Sequence, residues 1–101
     1  MRAIVTGINK NSSYAEYLGL TYNVTCFLSA GNKLIFSLSI NGIAVDFTAR
    51  EITIVDFDLE LQQAYETLSI FNNETNFNRY NALCLYASLK GIKYQPEHYY
   101  G

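Results

Sequence analysis

The sequence predicts an α+β domain in which a small antiparallel five-stranded sheet precedes two antiparallel helices. Apolar side chains recur at every second position over residues 1–55, which is the period of a β-strand. Over residues 56–91 they recur at spacings of three and four, which is the period of an amphipathic helix. At 101 residues there is room for one domain, so we expect a single domain made of this β half (1–55), a helical pair (56–91) and a short tail (92–101).

The clearest local signal in the β half is the pair Asn41-Gly42 between two alternating segments. Both residues tolerate the positive φ angles of a type I′ turn, so they predict a tight hairpin between the third and fourth strands. The first strand includes Ala3 and Val5, a polar loop follows at residues 9–19, a turn falls at residues 30–32, and the fifth strand covers residues 50–55. Alternation in the second strand places five side chains on one face: Leu20, Tyr22, Val24, Cys26 and Leu28.

The pattern of strands and loops allows two predictions, a closed barrel or an open sheet. Five short antiparallel strands with a long first loop and tight later turns favour an SH3-like barrel, because closure hides the edges that an open sheet exposes. An open meander covered by the helices is the alternative.

The helical half predicts two elements. Asp56 or Asp58 can cap a first helix of about 12 to 14 residues, and the apolar stripe of this helix comprises Phe57, Leu61, Ala64, Leu68 and Phe71. After a break at residues 72–74, Thr75 or Asn76 can cap a second helix that runs through Lys90 and stops at Gly91.

Residues 82–87 of the second helix are apolar on nearly all sides. Such a helix must be covered on more than one side, by the sheet, by the first helix or by a second subunit. Only 16% of the residues are charged, so little polar material covers the surface. We therefore expect a homodimer or a larger homo-oligomer.

Charge and composition exclude several partners. A net charge of −2 and a pI near 5.2 argue against duplex nucleic acid, which requires clustered Lys and Arg. No window approaches the roughly 18 apolar residues of a membrane span, and residues 1–7 lack the apolar core of a signal peptide. These features predict a cytoplasmic protein with no membrane partner, in which Cys26 and Cys84 are reduced core thiols.

The sequence offers little for catalysis. The single histidine, His98, lies four residues from the C-terminus, where a chain end holds a catalytic group poorly. One His with two distant Cys does not supply the three or four ligands of a zinc site. We therefore expect a non-enzymatic protein with no cofactor and no metal.

The candidate ligand site lies in residues 76–81, at the predicted start of the second helix. Free N–H groups at a helix N-terminus favour an anion, and Arg79 adds a bidentate donor for phosphate. Asn78 and Asn81 can make polar contacts to a base or ribose, while Phe77 or Tyr80 stacks on a ring. Arg50, where the fourth and fifth strands meet, is the second fixed positive charge that can converge on this site.

Aromatic side chains form a second set of candidates. The chain has nine Tyr and six Phe. Some of the tyrosines have no predicted core position: Tyr14 and Tyr17 in the first loop, and Tyr94, Tyr99 and Tyr100 in the tail. Tyrosine offers an apolar face and a hydroxyl at low entropy cost, which is typical of interfaces. Padding of a small core is the alternative reading.

The element order, together with the mixture of Phe71, Phe77, Arg79 and Asn81 in the helical half, resembles the phage-encoded Thoeris anti-defence proteins. The resemblance implies a non-enzymatic sponge for cyclic ADP-ribose isomers, with pockets shared between neighbouring protomers. The resemblance implies two arginines at the ligand. Arg79 is the only arginine in this helical half, so Arg50 must serve as the second.

Two functions follow as expectations. The first is a phage-type anti-defence protein, acting in the host cytoplasm, whose dimer sequesters a small anionic nucleotide signal such as a cyclic ADP-ribose isomer. Arg50, Phe77, Asn78, Arg79, Tyr80 and Asn81 would bind the ligand. The alternative is a protein–protein inhibitor of the anti-CRISPR or anti-restriction type that presents its tyrosines and a sheet edge, or else a structural module of a virion or larger complex.

Overall fold

The computed structural model describes residues 1–30 and 33–93. The centre of the predicted turn at residues 30–32 lies outside the described residues, and so does nearly all of the predicted tail, including His98 and its three tyrosines. The chain divides into two compact units, a sheet unit of residues Met1–Val55 and a helical unit that starts at Asp56. This division falls at the boundary that the change of period predicts.

The sheet unit contains five antiparallel strands, which confirms the predicted sheet. They are β1 (Arg2–Val5), β2 (Thr21–Ala30), β3 (Lys33–Ile40), β4 (Ile43–Thr48) and β5 (Ile52–Ile54). Their spatial order is β4-β3-β2-β1-β5, so β1 lies between β2 and the last strand. Short 3₁₀ turns lie in the first loop (Ala15–Tyr17) and between β4 and β5 (Ala49–Glu51).

The sheet is not closed, so the prediction of an SH3-like barrel is wrong and the open sheet is correct. β4 and β5 form the two edges, and the described ladders do not join them. β5 has only three residues, and all three pair with β1. The 3₁₀ turn changes the direction of the chain after β4, so β5 pairs with β1 and not with β4.

The open sheet is nevertheless strongly curled. Five strands laid flat would separate the outermost strands by about 19 Å, which is four spacings of about 4.8 Å. The chain passes from Thr48 at one edge to Ile52 at the other through three residues, a path of at most about 14 Å even when fully extended. The edges therefore approach each other at this end of the sheet.

A β-bulge in β2 overturns the predicted face of that strand. The pairing with β3 shifts between Val24 and Cys26, so one extra residue is inserted at this point. A bulge reverses the alternation of all later side chains. Cys26 and Leu28 are consequently exposed, and Phe27 lies opposite the buried Phe36. Cys26 is thus not a core thiol; Cys84 is half-buried, and both are free.

The β3–β4 hairpin confirms its prediction. Asn41 has a φ of 52° and Gly42 a φ of 79°, as a type I′ turn requires. The inward face of β3 is buried along its whole length and comprises Leu34, Phe36, Leu38 and Ile40.

The helical unit consists of α1 (Phe57–Ile70) and α2 (Glu74–Lys90), which pack antiparallel as predicted. The ring of Phe57 lies 5.3 Å from that of Tyr86, and Tyr65 lies 5.9 Å from Tyr80, measured between centroids. The predicted stripe of α1 is buried at Phe57, Leu61 and Ala64. Leu68 is half-buried, and Phe71 is exposed because the helix has ended there.

The helix ends correct two predictions and confirm one. Asp56 occupies the N-cap position of α1 but has a left-handed backbone, and its side chain makes no capping hydrogen bond. Asn73, rather than Thr75 or Asn76, caps α2, because its Oδ1 accepts from the Asn76 N–H at 2.9 Å. Gly91 ends α2 with a φ of 68°, as predicted.

The apolar segment at residues 82–87 is covered within the single chain. Four of its side chains are buried and the other two are half-buried: Ala82, Leu83, Tyr86 and Ala87 in the first set, Cys84 and Leu85 in the second. This segment therefore supplies no reason for a second subunit. The expected homodimer stays a prediction that needs another surface.

Gly7 is required where β1 meets the turn before β5. The N–H groups of Thr6 and Gly7 both donate to the carbonyl of Glu51, at 2.9 and 3.1 Å. A Cβ at Gly7 would lie 2.0 Å from the carbonyl oxygen of Arg50. The backbone must move to relieve such a clash, so only glycine fits at position 7 without distortion.

We expect Gly7→Ala to lower the free energy of unfolding by about 3 kcal/mol or more, because rigid backbone cannot yield cheaply. Gly91→Ala is the matched control. Its φ is positive but its Cβ would meet nothing within 4 Å, so it should cost only about 1 kcal/mol. Urea denaturation followed by circular dichroism measures both, and equal losses would contradict the close approach.

Candidate functional site

Helical periodicity divides the predicted ligand site of α2 into two faces. Phe77 and Asn81 are four residues apart, and Asn78 is three residues before Asn81, so these three share one face. All three are exposed. Arg79 and Tyr80 point instead toward α1, where each contacts a residue of that helix.

Arg79 already has a carboxylate partner. Its Nη2 donates to Oε2 of Glu60 at 3.2 Å, and the two side chains are 30% and 17% exposed. Glu60 lies on α1, 19 positions before Arg79 in the sequence. The carboxylate of Glu60 engages one guanidinium nitrogen and offsets its positive charge, which weakens the case for Arg79 as a ready phosphate ligand.

Tyr80 is not accessible to a ligand. It is only 4% exposed, and its ring packs against Tyr65. Of the two predicted stacking residues, Phe77 is therefore the one that the fold presents to solvent.

The N-terminus of α2 is also less open to anions than predicted. The helix starts at Glu74, so Arg79 lies in its second turn. Asn73 accepts from the N–H of Asn76, and Glu74 places a carboxylate in the first turn, where the helix dipole favours it. The N-terminus thus carries its own cap and its own negative charge.

Arg50 is exposed and lies in the 3₁₀ turn between β4 and β5, whereas the sequence predicts it at the start of the fifth strand. It belongs to the sheet unit, whereas Arg79 belongs to the helical unit. The convergence of the two arginines on one phosphate stays a prediction.

An open depression of about 510 Å³ lies at the start of α1. Its lining includes Asp56 and Asp58 together with Phe57, Leu59 and Ile92. Two acidic residues, with no cation among the described lining residues, make this depression unfavourable for a phosphate-bearing ligand.

The sheet unit gathers a second candidate site, which we call the tyrosine cluster: Tyr14, Tyr17, Tyr22 and Phe47. Tyr14 and Tyr17 stack with centroids 6.0 Å apart and ring planes 27° apart. Tyr17 meets Tyr22 edge to face at 6.2 Å. Both loop tyrosines also meet Phe47 edge to face, at 5.7 and 6.4 Å.

The exposure of these rings is graded. Phe47 is fully buried, Tyr17 and Tyr22 are half-buried, and Tyr14 is 42% exposed. Phe47 therefore forms the floor on which the tyrosines rest. The sequence indicated Tyr14 and Tyr17, but it did not indicate Tyr22 or Phe47, which are 5 and 30 positions after Tyr17.

Local hydrogen bonds hold the loop that carries the cluster. The N–H of Ser12 donates to the Asn9 carbonyl at 2.8 Å, and the N–H of Tyr14 donates to Ser12 Oγ at 3.2 Å. The N–H of Gly19 returns to the Val5 carbonyl at 2.8 Å, with a positive φ of 79° that favours glycine. The loop is thus tied to β1, and its rings are positioned before any partner arrives.

The carboxylate of Glu16 places a negative charge beside the tyrosine cluster. Partial burial raises the pKa of the Tyr17 hydroxyl above its ordinary value, and the neighbouring Glu16 carboxylate raises that pKa further. Glu16 itself is exposed. The arrangement can accept apolar groups on its ring faces and a cation beside its carboxylate.

Within residues 1–30 and 33–93, no group of three or more His, Cys, Asp or Glu side chains is placed to hold a metal ion. In the same part of the chain, neither helix has the length and apolar character needed to cross a bilayer.

Comparison with protein-family models, with curated proteins and with solved structures gives no match. The resemblance to the Thoeris anti-defence proteins therefore stays a prediction, and geometry alone supports the choice of function.

We expect the raised pKa of Tyr17 to appear as a loss of stability in alkali. Below the ordinary pKa of 10.0 the hydroxyl is protonated in both states. Above it the unfolded chain loses this proton first, so the free energy of unfolding falls with rising pH until folded Tyr17 also ionises. Denaturation at a series of pH values from neutral upward measures the slope.

Tyr17→Phe should flatten this slope, and Glu16→Gln should flatten it in part, because removing the carboxylate lowers the pKa of Tyr17. A slope that is the same in the wild type and in Tyr17→Phe would contradict the assignment.

Proposed function

We propose that the protein is a non-enzymatic binding module that engages a segment of another protein through the tyrosine cluster. One observation carries this proposal. Tyr14 is 42% exposed, yet its ring is held at 5.7 Å against the buried Phe47. A large aromatic side chain is thus fixed at the surface, which is the property of an interface anchor.

Preorganisation supports the same conclusion. Binding normally costs entropy when loose side chains become ordered at an interface. In this loop the 3₁₀ turn, its hydrogen bonds and the ring contacts have already ordered Tyr14 and Tyr17. A partner therefore gains the contact area of the rings without a large ordering cost.

Charge defines the partner further. Glu16 lies between the two stacked tyrosines in sequence and is exposed. Ring faces and a carboxylate together favour an Arg or Lys side chain next to an apolar one. The partner segment is accordingly apolar and basic. In this proposal the protein acts as an inhibitor or adaptor in the cytoplasm of a host cell.

Sequestration of a nucleotide is the second candidate, and one observation favours it. Phe77, Asn78 and Asn81 form a contiguous exposed face with a ring and two amides, a combination that can stack on a base and bond to its edge. None of these three side chains is a cation, and Arg79 on the neighbouring face is bound to Glu60. Phosphate recognition would have to compete with that ion pair.

A random peptide library displayed on phage tests the first function. Selection against the immobilised protein should enrich peptides with an apolar residue beside Arg or Lys. Tyr14→Ala should weaken their binding by at least about tenfold, as loss of an interface anchor does, and Glu16→Arg should also weaken it because the charge is reversed.

Phe71→Ala is the matched control, since it removes an exposed aromatic ring in the helical unit. It should leave peptide binding unchanged. Peptides that bind Tyr14→Ala as tightly as the wild type would overturn the proposed function.

Calorimetry with cyclic ADP-ribose isomers and cyclic oligonucleotides tests the second function. If these ligands bind at the exposed face of α2 that carries Phe77, Phe77→Ala should abolish the heat of binding. Arg79→Ala should lower the affinity by about 10- to 100-fold, because a charge-assisted bond contributes about 1.5–3 kcal/mol. Lys10→Ala is the control for nonspecific loss of charge, and absence of binding to the wild type would end this candidate.

A further inference from the structure

The two edges of the sheet differ in how open they are. β5 is only three residues long, and short edge strands resist pairing with other chains. β4 has six residues and contains no proline, lysine or bulge, which are among the usual protections of an edge, and its one charged residue is Asp46. Ile43, at the start of β4, is 67% exposed.

The hairpin turn determines which backbone groups of β4 face outward. In a two-residue turn the flanking pair, Ile40 and Ile43, is hydrogen-bonded, and the pattern then alternates along the strand. Residues 43, 45 and 47 therefore bond to β3. Ala44, Asp46 and Thr48 direct their N–H and C=O groups away from the sheet.

One of these three positions is already engaged. The N–H of Thr48 donates to Oε1 of Glu51 at 2.8 Å. Within the described part of the chain, the edge open to a new strand is thus centred on Val45, with Ala44 and Asp46 on either side supplying two donors and two acceptors.

We propose that β4 pairs with β4 of a second copy of this chain, antiparallel about a two-fold axis through Val45. In this register Ala44 of each copy forms a hydrogen-bonded pair with the partner's Asp46. The exposed Ile43 gains apolar neighbours from the partner strand, and the two open sheets join into one.

Charge and overlap select this register over its neighbours. A shift that centres the axis on Asp46 sets the two Asp46 carboxylates directly opposite each other, and like charges at that position are destabilising. A shift that centres it on Ala44 shortens the paired segment to three residues per strand. The register centred on Val45 pairs five residues and opposes no like charges.

The side chain of Asp46 is already oriented for this pairing. Its Oδ1 accepts from Ser37 Oγ at 2.6 Å, on the face of β4 that also carries Ala44. The carboxylate therefore stays beside the strand and does not cover the outward backbone groups.

Register-specific charge changes test the proposal in the full-length chain. Ala44→Lys places a cation opposite the partner's Asp46, whereas Ala44→Asp places a second anion there. By symmetry each change acts twice, so the dimer dissociation constant should fall for Ala44→Lys and rise for Ala44→Asp, by about 2- to 30-fold in each case.

Sedimentation velocity from about 1 µM to about 1 mM covers the range expected for pairing along a single edge. Circular dichroism at the lowest concentration checks that each variant keeps the fold. Opposite shifts for the two variants, with Phe71→Ala unchanged, would support the pairing. A wild-type monomer throughout, or equal responses of the two variants, would overturn it. Peptide binding at the tyrosine cluster is measured separately, so either conclusion can fail alone.

Discussion

The three-residue connection between β4 and β5 is the constraint on which the rest of the sheet unit depends. It carries the chain from one edge of a five-stranded sheet to the other, so the sheet must curl. The bulge in β2 increases local twist and bends the strand where curling requires it. Gly7 lets the end of β1 approach the turn at a distance that no side chain would allow. Together these features bring β5 beside β1 without closing the sheet.

The same curl builds the surfaces that we associate with function. β4 ends at the turn, and its last inward residue, Phe47, becomes the floor beneath Tyr14 and Tyr17. The loop that carries these tyrosines is anchored to β1, the strand that the curl places next to β5. Since β5 pairs its three residues with β1, no described strand covers the outer edge of β4. One short turn thus accounts for an ordered aromatic surface and an unprotected strand within a single unit.

Local signals in the sequence predicted most elements, and the features that it missed depend on distant contacts. Asn41-Gly42 and Gly91 specify turn and cap through their own backbone preferences, and the stripe of α1 follows from spacing alone. The bulge has no such signal, because Val24, Cys26 and Leu28 fit a regular strand equally well. Closure of the sheet depends on the geometry of the turn after Thr48, which spacing does not encode.

The predicted site shows the same division. Residues 77–81 are consecutive in the sequence, but a helix turns each one by about 100° and separates them. The pairing of Arg79 with Glu60 joins positions 19 apart and could not be inferred from either neighbourhood. No predicted core position explains Tyr14 and Tyr17, whereas the sequence predicts only a core role for their partner Phe47.

Nuclear Overhauser spectroscopy of the isotopically labelled chain tests most directly the claim that the sheet curls. The curled sheet predicts cross-strand signals between Ala3 and Ile54, together with ring-to-ring signals from Tyr14 and Tyr17 to Phe47. A spectrum with a complete β2–β3–β4 ladder but without these signals would contradict it.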